Sequence, residues 1–439
     1  MTPRVVITGY GVVTPLGPNA EESFNRASEG QSGISMIQSF DTTAMPCRIG
    51  GEIKREPSLD AIGKTLPSNS KIDIRRLEKY TPRPIKFMIE ATVEAARQAG
   101  LHGNISIPPQ RMGVALGYHG ENPSVSDMMF VHKFYKSGNK SNPWDMKALS
   151  NAGGYPYFSF FRRKSDVSTA LLGGIFDCKG PNISITSACS AGAQAIGEAA
   201  EIIRDGAADI MIAGGCDSAL NFMGFVGFVL IKAMTEKYTA PEKASRPFDR
   251  KRNGFVMSEG AGVVILEEFE HAKRRGAPIY AEFLGYGSSA DAYRITDPHP
   301  KGEGAILSMQ AALKDASLDA GGIDYINAHG TSTIMNDQTE TEAIKQVFGS
   351  WAASIPISSN KSMIGHTIAA AGAIECVLSI IGINKSIILP TINYENPDPK
   401  CNLNYVPNEA IDCPHRRVLS NSFGFGGQNA SLIIGKYEG

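Results

Sequence analysis

The stretch "ISITSACSAGAQAIGEAAEII" (183–203) decides the fold, because its plan returns later as "IPISSNKSMIGHTIAAAGAIECVLSI" (355–380). Each segment is a short run rich in Ser and Ile, a polar turn, and then a helix crowded with Ala and Gly. Two such strand–turn–helix units point to a duplicated α/β half. The small side chains let both helices approach their neighbours closely, so both are expected between sheets.

The surrounding pattern agrees. "RVVITGYGVV" (4–13), "MGVALGY" (112–118), "PNISITSA" (181–188) and "DIMIAGG" (209–215) read as strands. "IKFMIEATVEAARQAG" (85–100) reads as an amphipathic helix ending at Gly100, and "SAGAQAIGEAAEIIRDG" (190–206) as a helix ending near Gly206. Strands alternating with helices define the α/β class. No Pro/Ser linker or low-complexity stretch divides the 439 residues, so two halves are expected to pack tightly.

Composition narrows the function. A net charge of −1 excludes a general electrostatic grip on nucleic acid. Seven cysteines, odd in number and without a CxxC pair, suit reduced cytosolic thiols better than disulfides or a zinc site. The opening "MTPRVVITGYG" leaves no room for a charged region, an apolar region and a cleavage site. The most apolar run, "NFMGFVGFVLI" (221–231), is too short for a membrane span. A soluble, cytoplasmic protein that binds neither membrane nor nucleic acid is expected.

Cys189 falls where the first echoed strand hands over to its helix. The helix dipole there favours the thiolate, and free backbone N–H groups can hold an oxyanion. A small buried hydrophobe is the competing reading of the same cysteine. "INAHGTST" (326–333) closes a strand on His329, and "NKSMIGH" (360–366) places Lys361 and His366 at the opening of the second echoed helix. Strand-end loops are where α/β folds put their sites. "NSFGFGGQN" (421–429) is a glycine-rich turn without phosphate-loop spacing, mobile by its glycines or simply a tight turn between strands.

Six segments then settle a resemblance: "RVVITGYGVVTPLG", "ITSACSAGAQAIGEA", "ASRPFDRKRNGFVMSEGAGVVILEE", "INAHGTST", "NKSMIGHTIAAAGAIE" and "NSFGFGGQNASLII". Their order and spacing resemble the β-ketoacyl-acyl carrier protein synthases, most of all the elongating synthase II type of the thiolase-like superfamily. The resemblance implies a five-layered αβαβα fold in two duplicated halves, residues 1–276 with the nucleophile and 277–439 with the catalytic histidines. It implies a decarboxylative Claisen condensation of fatty-acid elongation: acyl transfer to Cys189, then attack by a carbanion released from malonyl-acyl carrier protein. His329 and His366 would donate hydrogen bonds from Nε2 to the malonyl thioester oxygen. The N–H groups of Cys189 and Phe425 would form the oxyanion hole, with Phe425 as the gate. Lys361 and Glu375 would support the site as a mutually satisfied pair, and Thr331 and Thr333 would hold the pantetheine arm, with Thr296 of "RITDPHP" either joining them or serving as a turn hydroxyl.

No metal or nucleotide cofactor is implied, since the 4'-phosphopantetheine arrives on the acyl carrier protein; a homodimer is. The basic stretch "KIDIRRLEKYTPRPIK" (71–86) offers Arg75, Arg76 and Lys79 to dock an acidic carrier protein, or is an ordinary solvated face. Residues 119–176, unusually aromatic and basic, and Ile334–Met335 depart most from the elongating enzymes. They leave open a type II polyketide or aryl polyene ketosynthase. A non-condensing partner subunit would lack Cys189, a cysteine hydrolase would not need two histidines, and a thiolase would offer a second cysteine as base.

Overall fold

The computed structural model describes residues 3–64, 66, 73–101, 107–136, 143–152 and 157–439, with the side chains of residues 75, 76 and 157 left aside. The first half supplies five strands to the main sheet: β1 (Val5–Val13), β2 (Met112–Gly117), β3 (Asn182–Ile185), β4 (Ile210–Ser218) and β5 (Glu259–Glu268). The second supplies β6 (Ala281–Ala290), β7 (Tyr325–Asn327), β8 (Ile357–Ser358), β9 (Arg417–Phe423) and β10 (Gln428–Gly435). The helices that build the layers are α1 (Arg83–Gln98), α2 (Ala191–Arg204), α3 (Glu303–Asp315), α4 (Ile334–Phe348) and α5 (Ala371–Lys385).

The pairing repeats strand for strand. In the first half β2 runs parallel to β3 and β4, while β5 is antiparallel to β4 and β1. In the second, β7 runs parallel to β8 and β9, while β10 is antiparallel to β9 and β6. The two five-stranded units meet edge to edge where β1 pairs with β6 at Val5↔Phe283, Val6↔Glu282 and Ile7↔Ala281. The combined order is β8-β7-β9-β10-β6-β1-β5-β4-β2-β3. The change from 276 to 277 falls in the connection between the helix Phe269–Arg274 and β6.

Side-chain alternation along the strands creates three apolar layers. On β4, Met211 and Ala213 face a central core shared with α2 and α5, while Ile210 and Ile212 face outward onto α1. On β9 and β10, Val418, Leu432 and Ile434 join the same central core, while Leu419 and Ile433 pack outward with α3 and α4. The result is helix, sheet, helix pair, sheet, helix. Residues 368–385 are apolar and long enough to cross a membrane, yet 89% of that window is buried inside the fold; this is the core helix of the sandwich.

Glycine and alanine in α2 and α5 are required by contact. A Cβ on Gly192 would lie 2.6 Å from the Ala369 carbonyl oxygen, and one on Gly372 would lie 2.8 Å from Ala193 Cβ. Both distances are below any tolerable carbon contact.

The echo read in the sequence has a backbone counterpart. A 3₁₀ turn over Ala188–Ser190 enters α2, and another over Ile368–Ala370 enters α5. Their first residues are both left-handed, Ala188 at φ 49° and Ile368 at φ 47°. The second unit differs in one insertion. Lys361–Ile364 form a separate short helix, ended by Gly365 at φ 81°, so Lys361 and His366 do not share one helix as expected. His329 also lies two residues past the end of β7 rather than closing it.

Candidate active site

The left-handed Ala188 is a non-glycine residue in a costly conformation, the kind of strain that collects at functional positions. It turns the chain so that Cys189 stands at the mouth of α2, buried to 3% exposure. His366 Nε2 lies 3.1 Å from Cys189 Sγ. The backbone N–H of Ile368 donates to His366 Nδ1 at 3.3 Å. A neutral imidazole accepting at Nδ1 carries its proton on Nε2, so the nitrogen facing the sulfur is a donor.

His329 meets His366 edge to face, with ring centroids 5.4 Å apart. Donor atoms of Cys189, His329 and His366 all lie within 4.8 Å of one another. The loop carrying His329 is clamped by Glu340, whose two oxygens accept from the His329 and Gly330 amides at 2.8 Å each. Burial pushes the Glu340 carboxyl up to about 7 against those bonds. Gly330, at φ 37°, leaves room for Ser359, whose Cβ an added Cβ would meet at 2.5 Å.

Electrostatics define the protonation states. Burial, then the Lys361 ammonium, hold both histidines well below the ordinary imidazole value, His329 also feeling His366. Both are therefore neutral near pH 7. Burial pushes the Cys189 thiol up to about 11, opposed by the backbone N–H of Phe425 and by Lys361. The expected bias toward thiolate from the helix end is thus outweighed by desolvation, and the sulfur starts as a thiol. The N–H groups of Phe425 and of Cys189 itself both favour the negative sulfur, which places two donors around the position an oxyanion would occupy.

Lys361 and Glu375, each 2% exposed, form a buried ion pair, Nζ to Oε1. Burial raises the Glu375 carboxyl and the Lys361 ammonium holds it down in turn. Glu375 Oε2 is buried without a hydrogen-bond partner.

A cavity of about 560 Å³ reaches Cys189, His329 and His366 from the surface. Thr331, Thr333 and Thr296 all line it, together with Phe425. Thr331 and Thr333 hydroxyls are 2.9 Å apart, and Thr333 also caps α4 by accepting from the Asn336 amide at 3.3 Å. Phe425 sits in the β9–β10 turn, followed by Gly426 at φ 87° and Gly427 at φ 75°, where a side chain would be strained.

Arg75 and Arg76 lie outside the described side chains. Lys79 is exposed but lies over the Phe158 and Tyr80 rings, 4.3 and 5.2 Å from their centroids, and lines no part of the cavity. Arg83 and Lys86 of the same basic stretch are paired with Glu259 and Glu78.

Three residues had no sequence signal. Glu340 lies in a polar helix with nothing to mark it as buried. Lys232, exposed and lining the cavity, directly follows the apolar run 221–231, which carries no site pattern. Asp217, 5% exposed, accepts from the Ala369 amide at 3.3 Å.

Comparison with known proteins gives a consistent result. The family described as "Beta-ketoacyl synthase, N-terminal domain" matches residues 2–272, and "Beta-ketoacyl synthase, C-terminal domain" matches residues 280–395. A 3-oxoacyl-[acyl-carrier-protein] synthase 2 of Coxiella burnetii is 40% identical, covering 99% of this chain and 98% of the relative. The protein of the same name from Synechocystis is 37% identical with the same coverage. Among solved structures, a type II polyketide ketosynthase bound to its acyl-carrier protein and a hexaketide is 33% identical, with a TM-score of 0.84 and complete coverage of both chains. A β-ketoacyl synthase of Burkholderia phymatum is 32% identical, also with a TM-score of 0.84, covering 99% of this chain and 100% of that one.

Proposed function

The chain belongs to the β-ketoacyl synthase family, and on that premise we propose that it condenses an acyl thioester held on Cys189 with malonyl-acyl carrier protein in fatty-acid elongation. The observation that carries the reading is the buried constellation of one thiol and two neutral histidines at the floor of a cavity lined by threonines.

In the first step Cys189 Sγ bonds to the acyl carbonyl carbon and the bond to the pantetheine sulfur breaks. The thiol proton leaves with that sulfur. His366 is not the base, because Nε2 already carries a proton; it donates to the sulfur or to a carbonyl oxygen. The oxyanion of the tetrahedral intermediate faces the Cys189 and Phe425 amides. In the second step the malonyl C–C bond breaks, carbon dioxide departs, and its electron pair passes into an enolate whose oxygen accepts from His329 and His366 at Nε2. The carbanion carbon then attacks the acyl-cysteine carbonyl, Cys189 leaves as thiolate and takes a proton from solvent to restore the thiol, and the product is two carbons longer. Neutral histidines suit this work: they stabilise the enolate by hydrogen bonding without protonating the carbanion.

Thr331, Thr333 and Thr296 hold the pantetheine arm in this reading, and no resident metal or nucleotide is used. A homodimer is supported by Met128, Met129, Phe160 and Phe161, apolar side chains 40–57% exposed in the segment that departs from the elongating enzymes. Cytoplasmic location belongs to the same proposal. The second reading, a type II polyketide ketosynthase, is favoured by the similarity to such ketosynthases and by Ile334 and Met335 at the cavity mouth.

The test is intact mass after incubation with a panel of acyl-carrier-protein thioesters, beside Cys189→Ala. An adduct of acyl mass absent from the variant is expected, and loading rank separates saturated chains from polyketide ones. No adduct with any carrier substrate would overturn the assignment.

A further inference from the structure

The repeated pairing of the two halves maps the catalytic residues onto a second set of positions. Cys189 maps onto Ala369, through the matched 3₁₀ turns and the Ala-Gly-Ala triplets at 191–193 and 371–373. The strand ends match as well. Tyr118 N donates to Ile185 O at 3.2 Å, as Ala328 N donates to Ser358 O at 2.9 Å. The next residues are His119 and His329, each followed by a left-handed glycine, Gly120 at φ 91° and Gly330 at φ 37°. His119 is therefore the counterpart of His329.

In the first half this histidine is turned to a different partner. His119 Nδ1 lies 2.6 Å from Asp217 Oδ2. Asp217 Oδ1 accepts from the Ser218 amide at 2.9 Å, and Oδ2 also accepts from the Ala369 amide at 3.3 Å. The turn between His366 and Ala369 is thus held at two successive amides: Ile368 N by His366 Nδ1, and Ala369 N by Asp217. The residue between the two bonds is the left-handed, β-branched Ile368, a conformation that survives only where its surroundings impose it. The charge of the same buried carboxylate opposes ionisation of the Cys189 thiol, which His366 and His329 adjoin and which the Lys361 ammonium favours as thiolate. Tyr118 and Cys216, buried beside it, feel that charge too.

We propose that Asp217 and His119 form a positioning pair for the condensation. Asp217 holds the strained turn that aims His366 at the nucleophile, and the charge state of His119 sets how much negative charge the carboxylate presents to Cys189. The inference rests on Cys189 being the nucleophile, but not on the acyl group it carries. Burial pulls His119 down while Asp217 more than offsets it, so its proton is held above the ordinary imidazole value. With His119 protonated the pair is neutral; with it deprotonated the carboxylate is uncompensated.

The experiment is the rate of Cys189 alkylation by iodoacetamide, followed by intact mass on the full chain at pH 6 and pH 9. Asp217→Asn keeps an acceptor for Ala369 and loses the charge; burial then leaves His119 neutral, so Cys189 should alkylate at the wild-type rate at pH 6, where the wild-type pair is itself neutral, and about fivefold faster at pH 9. His119→Gln should alkylate about fivefold more slowly at pH 6 and at the wild-type rate at pH 9. A residue that only braces the fold would not slow alkylation at pH 6 alone in one variant and speed it at pH 9 alone in the other. Asp217→Ala, which removes the acceptor, should lower kcat for condensation at least tenfold with KM for malonyl carrier protein unchanged. Equal rates for all three proteins at both pH values, or both variants moving the same way, overturns the proposal; should Asp217→Asn fail to fold, His119→Gln alone decides it. Because alkylation needs no carrier substrate, failure here is distinct from failure to load an acyl chain.

Discussion

Replacing Lys361 by Met would leave Glu375 as a lone carboxylate among α5 side chains that are themselves buried. Breaking one partner of a buried pair costs about 3–5 kcal/mol. Unfolding entropy of about 2.1 cal/mol/K per residue, taken over 439 residues, amounts to about 0.9 kcal/mol/K. The apparent Tm of Lys361→Met should therefore fall by about 3–5 °C near pH 7.5. Without the ammonium, Glu375 takes up a proton more readily, which keeps the loss toward the lower figure. Lys361→Met/Glu375→Leu removes both charges and should recover most of the drop, because two apolar side chains need no partner. The same variant has a kinetic signature. Lys361 helps hold both histidines low, so its removal lets imidazolium persist to higher pH. The acid limb of malonyl decarboxylation should move up in pH. Scanning fluorimetry and a pH–rate series decide the matter: a Tm within about 1 °C of wild type, with the acid limb in place, would refute the reasoning.

Three further outcomes are expected. Gly192→Ala drives a Cβ to 2.6 Å from the Ala369 carbonyl, so soluble yield and Tm should both fall, by about 1–3 kcal/mol of overpacking in a denaturant series. Thr331→Val removes a hydroxyl from the cavity wall while keeping its volume, and should raise KM for carrier-bound substrate several-fold with kcat nearly unchanged in a steady-state assay. Glu94, whose oxygens accept from the Val12 and Ala20 amides, is pushed by burial up to about 7. A carboxyl raised on folding contributes stability at low pH that is lost as pH rises from the unfolded value toward 7. The Tm difference between Glu94→Gln and wild type should accordingly grow in favour of the variant between pH 5 and pH 8.

The layered architecture was legible because each strand–helix unit wrote its periodicity in side-chain type, and because 183–203 and 355–380 wrote it twice. Cys189, His329 and His366 were legible only as strand-end residues beside small neighbours; their convergence depends on two segments far apart in sequence. The thiolate bias expected at Cys189 is outweighed for a physical reason. The helix end is a local feature visible in sequence, while the burial that outweighs it comes from Phe255, Met257 and Ile368, residues of other segments. Glu340 and Asp217 illustrate the same limit: a carboxylate that clamps a distant backbone carries no local pattern. The basic stretch at 71–86 shows the reverse, a strong local pattern whose Arg83 and Lys86 are spent on neighbouring carboxylates.

The matched turns at Ala188 and Ile368 have a consequence for lineage. Two identical halves would present two equivalent turns, each facing a strand-end histidine of the other half. In this chain one turn places Cys189 beside His329, and its counterpart places Ala369 on Asp217, the partner of His119. The two positions have therefore diverged: one carries the thiol, and the other carries a small Ala369 whose amide is tied through Asp217 to His119. A single chain can vary one copy of a repeated turn without altering the other.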